Sequence, residues 1–590
     1  MEFINNRYQV LSVLEGGPFG PMFRVRDSLR HDHRLLLQLP GTGNDLSGLF
    51  SRLEDDFIRI SQLSHPALAR YRHFGRVVKV DGMPAHSGRF FLTCDDVPLD
   101  LPFREAIRQV GPRAAAVLVC RLAAAMRYLH DRGFIMGALN ERTLRFFRVD
   151  GKWEVRLVGL PLPAQSRPGS RDHRQDSETA NLPEHVDNGD MEALGELLLR
   201  LAAGFPAPRR GVAAMHAEAE NRWDRLPADA PERLVLALVE RMLGLHGDED
   251  RPEPDAVIRA LNSAFGLQEP LFDVASNQRI LHHVPLQDRT GRMASMIAEG
   301  IRRLSGARGL FTQGICGDRG AGKTRNCEEL QFRCEMRGFP VYRTELAEGG
   351  DVDPFPSLVR VLLPDASAET IHQYGPELVK LLPDNPLLRA CRANPPLPAD
   401  QEEKRMRTRV LGFVEAVVKE HPAVLVFDDL NRFPQERLLW IDSLLERLRR
   451  HSAWVVFAWD GIELAGKARE LLNRWEERFG LSPEWLPPFG PEDTARFITM
   501  SLGLPRDAMA FSRHVHEETD GNPARIRGLL YTLRHDGLLH LDENGHWSTR
   551  FDGLRDYSHL KPDSTYEKAL EEAYARLEPT AWRLRTSTSA

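Results

Sequence analysis

A glycine-rich stretch in the middle of the chain carries the residues best suited to holding phosphate. It spans residues 317–324 and has the pattern G-x-x-x-x-G-K-T. Glycines permit the tight turn in which successive backbone N–H groups point at a phosphate, and a helix that follows adds its positive N-terminal end. The lysine then contacts the β- and γ-phosphates, and the hydroxyl binds Mg²⁺. The stretch predicts a site for ATP or ADP with Mg²⁺, formed by Gly317, Gly320, Gly322, Lys323 and Thr324.

The flanking segments have the patterns that such a loop requires. Residues 309–316 form a short apolar run that predicts a strand, and residues 326–333 predict a helix. Residues 423–429 form a second apolar run, which ends in Asp428 and Asp429. A buried parallel strand that ends in acidic residues is suited to deliver a metal ligand. We expect Asp428 to bind Mg²⁺ directly or through water. Asp429 would position or deprotonate the attacking water, or act only as a supporting acid.

The composition is that of an ordinary globular protein with several domains. The 590 residues exceed what one hydrophobic core supports, and 42% hydrophobic and 27% charged residues are typical of soluble chains. A net charge of −6 argues against a protein that coats nucleic acid. The six cysteines form no C-x-x-C pair, the first residues show no signal-peptide pattern, and the apolar runs are too short to span a bilayer. We expect a cytoplasmic protein without membrane contact.

The region after residue 286 resembles P-loop NTPases. Strand and helix patterns alternate up to the strand predicted at residues 453–458, which indicates a parallel sheet between layers of helices. With the later Gly-Asn-Pro that ends at Pro523, the region is similar to the signal-transduction ATPases with numerous domains, the STAND branch near the AAA+ proteins. This resemblance implies a helical lid in which Pro523 packs near the adenine, although a plain helix start also explains the motif. Trp459 and Asp460 stand where the family often has an arginine, so sensing of the γ-phosphate would differ.

Residues 7–265 resemble bacterial serine/threonine protein kinases in layout. Strand, glycine loop, strand, turn and strand patterns open the region, and helical patterns follow from about residue 103. Residues 128–135 are similar to the kinase segment before the catalytic loop, and residues 182–184 to the end of the activation segment. Asp190 begins a segment similar to the central large-lobe helix. The resemblance implies a β-rich small lobe and a helical large lobe.

The groups that transfer phosphate in kinases are missing from this region. Gln38 stands where the resemblance expects the phosphate-binding lysine, and Asp56 where it expects the partner glutamate. Ala138 replaces the catalytic aspartate, Thr143 the metal-binding asparagine, and Gly159 the metal-binding aspartate. Phosphoryl transfer depends on positioning and on charge stabilisation by such groups. The resemblance therefore implies a pseudokinase.

The predicted fold class is multidomain, with an α+β part followed by an α/β part. The final segment is similar to the start of a winged-helix domain and is either a minimal or a truncated version of one. The expected units are a two-lobe kinase-like domain at residues 7–265, a linker at 266–285, a P-loop NTPase core with a parallel sheet at 286–480, a helical lid at 481–560 and the final segment at 561–590.

The sequence favours one function and leaves three alternatives open. The favoured one is an ATP-binding signalling regulator that hydrolyses ATP slowly, because a switch needs two long-lived states. Unknown signalling proteins would bind the kinase-like domain, and the family resemblance suggests ATP-dependent self-assembly. The alternatives are an active or atypical serine/threonine kinase regulated by an ATPase domain, a nucleotide-bound scaffold without turnover, and DNA binding through a C-terminal winged helix that this chain barely begins.

Overall fold

The structure is a computed structural model of the whole chain, with an antiparallel curled sheet in its first part and a parallel sheet in its second. The predicted segment at 561–590 lies outside the described residues. The structure describes residues 3–549 except for gaps at 6, 15, 19, 29–31, 39–56, 58, 78, 81–82, 85–89, 98–100, 138, 164–187, 206–211, 228, 246, 248–250, 279–290, 307–308, 345–352, 462–465, 505–508 and 544. The described part is a mixed α/β structure.

An eight-stranded antiparallel sheet opens the chain. Its strands are β1 Phe3–Ile4, β2 Tyr8–Leu14, β3 Met22–Asp27, β4 His33–Gln38, β5 Tyr71–Arg76, β6 Lys79–Val80, β7 Met83–Pro84 and β8 Phe90–Asp95. They lie in the order β5-β8-β4-β3-β2-β1-β6-β7. Because side chains alternate across a strand, Leu35 and Leu37 of β4 pack into the large core of the N-terminal part, whereas Leu36 packs into a smaller cluster with Tyr8 and Phe91.

A helical layer with two short β-pairs follows this sheet. Its longest helix, Pro112–His130, packs against Asn188–Ala203 and Pro254–Phe265, and its buried face is rich in alanine, which allows close approach. The short strands β9 Phe134–Ile135 and β12 Leu162–Pro163 pair with each other, as do β10 Leu144–Val149 and β11 Lys152–Leu157. The other helices are Phe103–Gln109, Val212–Trp223, Pro231–Met242 and Val274–Asn277.

A five-stranded parallel sheet forms the centre of the second part. Its strands are β13 Leu310–Gly317, β14 Val341–Arg343, β15 Ala423–Phe427, β16 Ala453–Asp460 and β17 Ser482–Leu486. They lie in the order β14-β15-β16-β13-β17, and every pair is parallel. Strands β15 and β16 are buried along their whole length, as expected for continuous apolar runs covered on both faces. All five carboxyl ends therefore meet at one edge of the sheet, where α/β proteins bind ligands.

Helices cover both faces of the parallel sheet. In β15, Leu425 and Phe427 pack into one core, and Val424 and Val426 pack into the core on the opposite face. Gly300 allows its helix to lie directly against the buried ring of Trp454 in β16. The covering helices are Arg292–Gly306, Lys323–Met336, Pro354–Leu362, Ala368–Leu381, Ala399–Glu420, Gln435–Leu448 and Lys467–Phe479, with 3₁₀ turns at Leu363–Asp365, Pro386–Leu388 and Leu430–Arg432.

A smaller unit, called the lid below, follows β17. It comprises the helices Pro491–Leu502, Met509–Thr519 and Pro523–His535 and the hairpin of β18 Leu539–Leu541 and β19 Trp547–Thr549, packed around a core of its own. The expected boundary at residue 480 needs a correction, because β17 pairs with β13 and belongs to the parallel sheet. This strand is mostly exposed and lacks an apolar pattern, so the sequence did not reveal it. Among the described residues, no helix has the length and apolarity needed to cross a bilayer.

Candidate functional site

The glycine-rich stretch lies at the carboxyl edge of the parallel sheet. Strand β13 ends at Gly317, and the helix Lys323–Met336, called the phosphate-loop helix below, begins directly after the loop. Gly320 and Gly322 have φ values of +82° and +96°, a region that residues with a Cβ atom rarely adopt. Gly317 is tightly enclosed, since an added Cβ would lie 3.1 Å from the Leu486 carbonyl oxygen. The loop therefore needs glycine at all three predicted positions.

Lys323 is buried at the first position of the phosphate-loop helix. Its Nζ donates to the carbonyl oxygens of Gly317, at 3.2 Å, and Asp318, at 2.9 Å, and it forms an ion pair with Asp460. A buried ammonium needs such partners, because leaving it unpaired costs several kcal/mol. Thr324 is exposed at the next position. The lysine ammonium is thus held at the mouth of the loop.

Asp428 and Asp429 follow β15 at the same edge of the sheet. Asp428 is buried, accepts a hydrogen bond from its neighbour's backbone N–H at 3.0 Å, and lies 3.9 Å from Arg343 Nε. Asp429 is in the left-handed region, with φ +56°, and its half-exposed side chain lies 3.7 Å from Arg432. Burial, and then the charge of Asp428, raises the pKa of Asp429. A raised pKa suits a carboxylate that is expected to accept a proton.

Asp460 is the acid that sequence reasoning missed as a site residue. It ends β16, which lies between β13 and β15, and its carboxylate contacts Lys323 directly. Asn431 holds this carboxylate, since its Nδ2 donates to Asp460 Oδ2 at 3.3 Å and its Oδ1 accepts from the Asp460 backbone N–H at 3.4 Å. An apolar run that ends in an acid was visible at Asp460, but only the strand order brings it to the lysine.

The Gly-Asn-Pro motif lies against the glycine-rich loop. Pro523 occupies the first turn of the helix Pro523–His535, and the preceding Asn522 caps that helix by accepting from the backbone N–H groups of Ala524 and Arg525. The same Asn522 side chain donates to the Arg319 carbonyl oxygen at 2.9 Å, and the Ala524 N–H donates to Gly320 O at 3.3 Å. The lid and the loop are therefore joined at the residues that the sequence singled out.

The positions matched to kinase catalytic groups lie in the N-terminal part. Gln38 is in β4, whereas Ala138 and Asp56 lie outside the described residues. Thr143 and Gly159 are in contact, because a Cβ added at Gly159 would lie 3.1 Å from the Thr143 methyl carbon. A side chain at residue 159 would thus require Thr143 to shift by a few tenths of an ångström.

Asp190 supports the segment before Ala138. Its buried carboxylate accepts from the backbone N–H groups of Met136, at 2.5 Å, and Gly137, at 2.8 Å, and it contacts His130 Nε2 at 3.0 Å. These bonds satisfy backbone donors that would otherwise be buried without a partner. The loop is therefore held in a defined conformation independently of any catalytic group.

Comparisons with known proteins add no relative. No protein-family model matches the chain, and no curated protein matches it.

Proposed function

We propose that the chain is a nucleotide-dependent signalling switch with a slow ATPase site at the glycine-rich loop. In this proposal residues 286–480, together with β17, are a P-loop NTPase core of the STAND type. The part after β17 is its lid, and residues 7–265 are a kinase-like domain without phosphotransfer activity. A signalling protein that binds the kinase-like domain would be the source of the stimulus, and self-assembly in the ATP state would be the output.

One observation carries the proposal. A buried lysine, an exposed threonine and three acids, Asp428, Asp429 and Asp460, lie at the carboxyl edge of one parallel sheet, beside a loop in which two of the three predicted glycines have positive φ. Backbone N–H groups of such a loop and the N-terminal end of the following helix attract phosphate. This combination suits a nucleoside di- or triphosphate better than an uncharged ligand.

The residues divide the work between holding the substrate and moving a proton. Lys323 would contact the terminal phosphates, while the backbone of Gly317, Gly320 and Gly322 would hold the remaining oxygens. Thr324 and Asp428 would hold Mg²⁺, which when bound neutralises phosphate charge. Asp429 would accept a proton from the attacking water, and the cause of its raised pKa is its own burial followed by the neighbouring acid.

The absence of phosphotransfer by the N-terminal part has separate support. Gly159 is packed closely against Thr143, so an aspartate there would require the Thr143 side chain to shift. The segment before Ala138 is nevertheless supported by Asp190. A domain that keeps these supporting hydrogen bonds but lacks the reactive groups suits the binding of a partner. The bonds to Asp190 support the fold and are not needed for phosphate transfer.

The test follows the γ-phosphate of labelled ATP and separates free phosphate from phosphate on protein, for the full chain and its Lys323→Ala variant. We expect slow release of free phosphate from the unaltered protein and its loss in the variant. Label on protein that persists in Lys323→Ala would overturn the pseudokinase assignment. Tight ATP binding without any free phosphate would replace the switch by a nucleotide-bound scaffold.

A further inference from the structure

The phosphate-loop helix connects the nucleotide site to the N-terminal sheet. Its far end carries Phe332, nine residues and roughly 13 Å beyond Lys323 along the axis. The Phe332 ring stacks on Phe57, with centroids 5.9 Å apart and planes 10° from parallel, and lies 6.2 Å from the ring of Phe74 in β5. In the last turn, Met336 is buried in the same core. One end of this helix therefore adjoins the loop, and the other packs both on the parallel sheet, through Cys334, and on the N-terminal domain.

The lid contacts the N-terminal domain at a second place, partly through residues 267–277 of the expected linker, of which Leu267 and Leu271 pack against the core of that domain. Asn277 donates from Nδ2 to the Gly545 carbonyl oxygen at 3.1 Å, in a buried position. The ring of Phe272 lies against Gly545, where an added Cβ would be 2.7 Å away. Gly503 ends the first lid helix, and a Cβ added there would lie 3.3 Å from the guanidinium carbon of Arg132. Both lid positions favour glycine, Gly545 because of the Phe272 ring and its φ of +77°, and Gly503 because of its φ of +65°.

The contacts join the core with its loop, the lid and the N-terminal domain into a closed circuit of three contacts, called the ring below. The loop meets the lid through the Asn522 bond to Arg319 O and the Ala524 bond to Gly320 O. The lid meets the N-terminal domain at Gly503 and Gly545. The N-terminal domain meets the core at the end of the phosphate-loop helix. The lid cannot move away from the loop unless one of the other two contacts also opens.

We propose that the N-terminal domain is a clamp that slows nucleotide release by holding the phosphate-loop helix and the lid in one arrangement. The inference rests on the proposed function at the loop and adds a mechanism of regulation to it. A protein that displaces the N-terminal domain from Phe332 would release the clamp and speed the exchange of ADP for ATP. The kinase-like domain thereby acquires a physical route to the nucleotide site that requires no phosphotransfer.

The ring makes a specific prediction about variants. Phe332→Ala opens the contact with the core, and Asn277→Ala weakens the contact with the lid, yet neither residue touches the loop. Each variant is expected to release ADP roughly tenfold faster, the size of effect that interface anchors commonly have. Once one contact in the closed set is open, the remaining contact no longer restrains the lid. The double variant should therefore release ADP about as fast as the faster single variant.

The experiment measures displacement of a fluorescent ADP analogue from the full chain by excess ADP. Phe339→Ala is the matched control, because it removes a partly buried ring just after the same helix, and this ring packs against the core of the second part. Circular dichroism melts check that each variant is folded, and Phe332→Leu replaces Phe332→Ala if the latter is not. The control should release ADP at the rate of the unaltered protein.

The outcomes separate the two proposals. Unaltered protein that fails to bind the analogue, or binds it equally in Lys323→Ala, would overturn the proposed function itself. Binding with release rates that are unchanged in both clamp variants would overturn the clamp alone. Rate increases that multiply in the double variant, or an equal increase in Phe339→Ala, would also overturn it, because they indicate general loosening of the fold.

Discussion

Substitution of Asp460 by asparagine tests the electrostatics of the site most directly. The carboxylate contacts Lys323, and their side chains are only 12% and 7% exposed, so solvent screens the pair weakly. A phosphate bound at the loop must share this ammonium with Asp460 and is repelled by its charge. Asparagine keeps the shape and the backbone bond to Asn431, and its one side-chain oxygen can still accept from Lys323, but it loses the bond from Asn431 Nδ2 and removes the competing charge. We therefore expect Asp460→Asn to bind nucleotide more tightly.

The magnitude follows from the contact. Two unit charges 4 Å apart attract by about 4 kcal/mol at an effective dielectric constant of about 20. The hydrogen bond that asparagine can still accept from Lys323 offsets about 1 kcal/mol of the lost attraction. Solvent screening at the mouth of the loop reduces the net gain in the binding free energy of ADP to about 2 kcal/mol, which corresponds to roughly 30-fold tighter binding. The same change leaves the Lys323 charge less compensated, so the variant should melt at lower temperature without ADP and gain more from its addition.

The assay is a titration with fluorescent ADP, combined with thermal melts with and without ADP. Asp429→Asn is the control, because it neutralises a nearby acid that forms no ion pair with the lysine within 4 Å. ADP binding by Asp460→Asn that is weaker than that of the unaltered protein would refute the reasoning. Asp460 would then support the bound phosphate, for example through water, instead of competing with it.

Three further predictions concern other parts of the structure. Gly300→Ala would press a methyl group into the buried Trp454 ring and should cost about 1–3 kcal/mol, seen as a lower Tm. Asn522→Ala removes a helix cap and should cost about 1 kcal/mol in denaturant unfolding while weakening ADP retention. Asp429→Asn should raise Tm at neutral pH, because the raised pKa of Asp429 means that the fold disfavours its charged carboxylate. This gain in Tm should vanish as pH falls through that pKa. ATP hydrolysis by the variant should drop by roughly 100-fold or more at every pH.

The sequence predicted the parts of the site that depend on local pattern. The strand before Gly317, the helix after it and the strand ending at Asp428 are all present at the predicted places. Each is a run whose burial dictates its composition, and the loop needs glycine where φ is positive, at Gly320 and Gly322, and where the chain is tightly enclosed, at Gly317. Periodicity does not determine which strands are neighbours, however. The contact between Asp460 and Lys323 depends on β16 lying beside β13, so no local signal could identify it.

The contacts between the units could not be predicted from the sequence either. The predicted phosphate-loop helix ended at residue 333, but the real one continues to Met336. In its last turn Met336 packs into the core of the N-terminal part whereas Cys334 packs into the core beside the parallel sheet, which blurs the amphipathic pattern that a helix with one buried face would show. Phe332 therefore looked like an ordinary core residue. The weak pattern of β17 has a related cause, since an edge strand with an exposed face needs few apolar residues.

The location of β17 also determines how the chain can be divided. A fragment that ends at residue 480 would lack the strand that pairs with one side of β13, along five residues from Gln313 to Gly317. That side would then present unpaired N–H and C=O groups next to Gly314, which has no side chain to shield them. Exposed edges of this kind recruit further strands from other molecules. Such a fragment is expected to aggregate, and its aggregates would be mistaken easily for nucleotide-driven assembly unless the cut is made after Leu486.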